Sequence, residues 1–179
     1  MIYPQAFIDY LVHFHGDRDF FECHEILEDY WKDHKMKEEI WVALIQLAVG
    51  LYHQRRGNHA GAIKMLKSSL QKMEQKKITQ LGLNYEKMTD LIKRRMAEIA
   101  QGCVYTDIDL PIEDQQLHVQ CLETCKKKNL TWGSTSMDNR DLVDRHKLRD
   151  RSDVIKQREE RLLQKLNHRN QDSYTRLQE

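Results

Sequence analysis

Proline is almost missing from this chain of 179 residues, where Pro4 and Pro111 are the two present. Proline breaks helix interiors, so the long stretch between them is open to helix. Alternating runs of β-branched residues are also lacking, which removes the usual signature of strands. Cysteine is sparse: Cys23, Cys103, Cys121 and Cys125 include no C-x-x-C pair, and no disulfide framework is expected. Met1 to Val12 lacks a basic segment followed by a continuous apolar run, so no signal peptide is expected. Free thiols in such a chain point to a reducing cytoplasm. The longest apolar stretch, Ile40 to Tyr52, is interrupted by Gln46 and is too short to span a bilayer. An excess of one charge is absent too. The formal net charge of +1 lacks the basic excess that a nucleic-acid-binding domain usually carries. Neither a membrane nor a nucleic acid is therefore an expected partner.

What is present reads as helix. Gly16, Gly57, Gly82, Gly102 and Gly133 fall where the hydrophobic period breaks. The segments between them predict helices over about 4–15, 17–34, 37–56, from Asn58, from Asn84, and over about 113–129. Asp17 or Asp19, Asn58 and Asn84 are the expected N-caps. The third helix is apolar almost all round, and such a helix belongs at the centre of a bundle. The predicted fold is all-α: an antiparallel bundle of about five to six helices over residues 1–130. Residues 131–139, with Gly133 and several Ser and Thr, read as a linker. Residues 140–179, with 11 basic and 8 acidic residues, read as a polar tail, helical or disordered. A protein partner, or self-association, through this tail is the expected contact.

The second helix carries the chemistry. Within Phe20–Trp31 lie Glu22, His24, Glu25 and Glu28 beside Phe20, Phe21 and Trp31. At about 100° per residue, Phe20, Cys23, Leu27 and Trp31 share an apolar arc, and His24 and Glu28 stack on its edge. Glu22 and Glu25 point toward solvent or a neighbouring element. A partly buried His–Glu pair is a candidate site; the bland alternative is an i,i+4 ion pair worth a few tenths of a kcal/mol. On the third helix Gln46 and His53 lie seven apart, close to one face. His53 reads equally as an exposed residue at the helix end. His118, Cys121 and Cys125 also share a helix face, but three ligands over two turns of one helix converge poorly on an ion; buried thiols are the simpler reading.

The run Phe14-His-Gly-Asp-Arg-Asp-Phe-Phe-Glu-Cys-His-Glu-Ile-Leu-Glu-Asp-Tyr-Trp31 resembles the domain of unknown function 309 family. Leu44-Ile-Gln-Leu-Ala48, His53 and Gly57-Asn-His-Ala-Gly-Ala62 are similar to that family's next blocks. The resemblance covers roughly residues 1–75 well. It implies a small all-α bundle and singles out Glu22, His24, Glu25, Glu28, Trp31, Gln46 and His53. It implies no activity and no cofactor.

Two functions fit these residues. In the first, inward-facing Glu and His on neighbouring helices form a ligand or metal site. His24, Glu28 and His53 would hold a divalent transition metal, Zn²⁺, Mn²⁺ or Fe²⁺, with an open position. A bound water could then serve hydrolysis, with Glu25 or Glu22 as base. In the second, the protein is a non-catalytic interaction or scaffold protein, and the same residues cap and cross-link helices.

Overall fold

The computed structural model describes residues 2–136. Seven helices fill them: α1 Gln5–His15, α2 Phe20–Asp33, α3 Glu39–Arg55, α4 His59–Lys72, α5 Gln75–Gln80, α6 Tyr85–Ala100 and α7 Gln115–Lys127. Among the described residues there is no strand, and one isolated antiparallel bridge joins Leu83 to Ile112. The all-helical bundle is the expected architecture. The short α5 is the addition. Its sequence offers a single buried apolar side chain, Ile78, and hence no period to read.

Local chemistry sets the helix starts. The Asp19 side chain accepts from the Glu22 amide, Asn58 from Gly61, Asn84 from Lys87, and Asp114 from Gln116 and Leu117. Each satisfies amide donors that the first helical turn leaves without partners.

Helix α3 is the axis of the core. Ala43, Leu44, Leu47, Ala48 and Leu51 are fully buried. Neighbouring helices donate to its backbone: the Tyr10 hydroxyl to the Leu44 carbonyl at 3.0 Å, and the Ser69 hydroxyl to the Ala43 carbonyl at 2.7 Å. Gly50 lets α4 come close. A Cβ there would lie 2.8 Å from both Cγ and Cδ2 of Leu66. Helix α2 runs antiparallel to α3, since Tyr30 meets Trp41 at 5.1 Å and Phe21 meets Tyr52 at 6.0 Å between ring centroids. The Asp33–Met36 turn reverses the chain with Lys35 and Met36 both in the left-handed region, at φ 60° and 56°. The Met36 amide donates back to the Trp31 carbonyl, which satisfies one of the last carbonyls of α2.

Residues 131–136, expected as part of a linker, are held against the bundle. The Gly133 amide donates to the His15 carbonyl, and Arg18 Nε donates to the Ser134 carbonyl. The tail expected at 140–179, and the partner contact assigned to it, lie outside the described residues.

Candidate metal centre

The second turn of α2 places His24 between two carboxylates. Its Nδ1 is 3.1 Å from Glu25 Oε1, and its Nε2 is 3.2 Å from Glu28 Oε2. One donor atom from each of His24, Glu25 and Glu28 lies within 4.8 Å of the others, and all three side chains are half-buried. The i,i+4 spacing explains Glu28, since the two residues stack on one edge of the helix. Helical spacing alone points Glu25 away from His24. It joins because its carboxylate bends back along the helix to the ring, a rotamer choice that the spacing does not specify. A neutral imidazole donates at one nitrogen only, so bonding to both carboxylates at once takes the doubly protonated ring. Lys32 adds an ammonium 3.1 Å from Glu28 Oε1. The Phe21 ring meets His24 edge-on at 6.0 Å and also touches Tyr52 of α3.

The other singled-out residues lie outside this group of donor atoms. Glu22 lies in the first turn of α2, half-buried, on the acid-favouring end of the helix. Trp31 is partly buried against the core, and its indole Nε1 is buried without a hydrogen-bond partner among the described residues. Gln46 is half-buried, and its Oε1 is likewise unpartnered among them. His53 is not in the group of donor atoms around His24. Its Nδ1 lies 3.2 Å from the Asn58 side-chain nitrogen, and Asn58 Oδ1 is committed to capping α4. That nitrogen is a donor, so His53 Nδ1 accepts and the ring is neutral in this arrangement. Burial pushes His53 below the ordinary histidine range, and the nearby Arg56 pushes the same way.

The family model described as a domain of unknown function, DUF309, matches residues 7–65. The uncharacterised protein YpuF of Bacillus subtilis is 45% identical over 166 residues, covering 90% of this chain and 95% of its own length. The chain belongs to the domain of unknown function 309 family. The matched block contains all of α2 and α3, and so all seven singled-out residues. No solved structure matches the chain. No helix among the described residues is long and apolar enough to cross a membrane.

A second polar centre escaped the sequence reading. Arg18 is 3% exposed and sits in the left-handed region at φ 58°. Its guanidinium donates to the Phe14 and Ile108 carbonyls, to the Ser134 carbonyl and to Asp109 Oδ1. His15, 2% exposed, reaches the same Asp109 oxygen at 3.3 Å and stacks flat on Trp132. Apart from Phe14, the partners of Arg18 come from positions about 90 and 116 residues away in the chain. The signal that could have found them is the presence of His15 and Arg18 inside the recognised motif, although neither lies on a helical face with the candidate residues.

Proposed function

We propose that the His24–Glu25–Glu28 turn is a divalent-metal site and that the protein acts through it as a metal-dependent hydrolase. The observation carrying this reading is the convergence of one imidazole and two carboxylates within 4.8 Å on a half-exposed edge of α2. This ligand mix suits Zn²⁺, Mn²⁺ or Fe²⁺. Three protein ligands leave room for water, and hydrolysis is the chemistry that an activated metal-bound water supplies. With Glu25 taken up as a ligand, Glu22 is the base that this reading assigns. Imidazole and carboxylate ligands bind metal in their deprotonated forms, so binding weakens as pH falls.

The test is metal titration of the full-length, chelator-treated protein by calorimetry and elemental analysis. One equivalent of metal should bind. His24→Ala and Glu28→Gln should each weaken it by more than the roughly 10- to 100-fold typical of losing an outer-shell partner. His53→Ala decides whether the second imidazole is recruited when metal enters. No stoichiometric uptake of any of the three ions would end this reading.

The scaffold reading has its own support. Every member of the cluster already has a polar partner within 3.2 Å, with Lys32 completing the ladder on Glu28. On that reading the cluster is an ion-pair network along one helix, and metals leave stability unchanged.

A further inference from the structure

The segment from Thr131 to Ser136 lies across the bundle as a strap, and His15 is at its centre. The Gly133 amide donates to the His15 carbonyl at 2.9 Å, Arg18 Nε to the Ser134 carbonyl at 2.8 Å, and the Ser136 amide to Asp107 Oδ2. Trp132 stacks on the His15 ring at 4.3 Å with an interplanar angle of 9°. The Phe14 ring packs near His15 at 5.5 Å. His15 Nδ1 is taken up by Asp109, while Nε2 is buried and has no hydrogen-bond partner among the described residues.

Charged and titratable groups reach His15 from each element packed on it. Asp109 comes from the segment after α6, Arg18 from the turn after α1, and His118 from α7. His118 also meets Trp132, at 5.4 Å between centroids. One carboxylate therefore serves both the Arg18 guanidinium and the His15 ring, at 2.8 and 3.3 Å.

We propose that the strap is a proton-released clasp, in which protonation of His15 lifts Trp132 and residues 131–136 off the bundle. A proton on Nε2 would place a charged donor in an apolar slot without an acceptor, next to a guanidinium that already holds the available carboxylate. Such a group is expelled or solvated rather than kept buried. Lifting the strap uncovers the ring face on which Trp132 stacks and opens it to water.

The electrostatics agree in sign. Burial, with help from Arg18 and His118 and against the pull of Asp109, pushes His15 from 6.5 down to about 4. The docked state thus binds its proton more weakly than the open state does. Docking is fully stable above pH 6.5 and weakens as pH falls toward 4. Those two values bound the weakening at about 300-fold in the docking equilibrium.

Full-length protein carrying 5-fluorotryptophan tests this by ¹⁹F NMR, with the Trp132 resonance assigned from Trp132→Phe. Between pH 7.5 and 4 the Trp132 signal should move while Trp31, Trp41 and far-UV circular dichroism hold steady. Exchange protection at the Gly133 amide, corrected for intrinsic rates, should fall over the same range. His15→Phe keeps the stacked ring and removes the proton, so it should flatten both responses; His118→Gln should not. In the wild type, the His15 ring shift and the Trp132 shift must share one midpoint, a measurement that needs no variant. The clasp is overturned by a flat Trp132 signal, by an unchanged response in His15→Phe, by separate midpoints, or by loss of all three tryptophan signals together with the helix signal.

Discussion

Gly50 leaves no room for a side chain between α3 and α4, and Gly50→Ala turns that into a number. The new Cβ would stand 2.8 Å from Leu66 Cγ and Cδ2 and 3.4 Å from the Ala62 carbonyl oxygen. Leu66 is fully buried, so it cannot swing into solvent. Forcing an extra methyl into a filled core costs about 1–3 kcal/mol. Alanine in place of glycine in a helix interior returns about 1 kcal/mol. The single variant should therefore be destabilised by up to about 2 kcal/mol. Leu66→Ala alone should cost about 2–5 kcal/mol through the cavity it leaves. Combined, the two should compensate. With Leu66 truncated, the methyl introduced at position 50 meets space, and Gly50→Ala becomes stabilising by about 1 kcal/mol. Urea unfolding of the wild type, both singles and the double, followed by circular dichroism at 25 °C, gives the coupling directly. A coupling of about 1–3 kcal/mol is expected. Additivity within about 0.5 kcal/mol would show that α3 and α4 do not meet at this point.

Arg18→Lys should destabilise by about 3–5 kcal/mol, because a lysine cannot serve four separated acceptors from a buried position; an unchanged urea midpoint would contradict the buried hub. His24→Ala, measured without metal, should shift stability by only a few tenths of a kcal/mol, as for ion pairs on one helix. Added Zn²⁺ or Mn²⁺ should then raise the melting temperature of the wild type and leave His24→Ala where it was. His53, held low by burial and by Arg56, contributes stability that is present above about pH 6.5 and declines as pH falls below it. The stability difference between wild type and His53→Gln should accordingly shrink on acidification, and a difference that grows would reverse the assignment of Nδ1 as acceptor. Trp31→Ala should cost less than the roughly 3–5 kcal/mol of a fully buried aromatic, because its ring is only partly covered; thermal melts of the variant decide this.

The fold was legible because its determinants are local. The all-round apolar character of Ile40 to Tyr52 marked α3 as the central helix, and Leu44, Ile45 and Ala48 are indeed buried. Asp19, Asn58 and Asn84 cap the helices they precede, since capping needs only a side chain within three residues of an amide. The His24–Glu28 contact was legible for the same reason: four residues is one turn. Tertiary structure decided the rest. Whether Glu25 bends back to His24 is a rotamer outcome. His53 lies one residue after Tyr52, which shares the Phe21 ring with His24, yet its Nδ1 meets Asn58, because the α3–α4 turn brings that amide to it. The Arg18–Asp109–His15–Trp132 centre has no sequence period at all. It exists because three separate connections, after α1, after α6 and after α7, pass the same spot on the bundle. A helical repeat records which way a side chain faces on its own helix; the meeting of distant loops is set by how the finished helices pack.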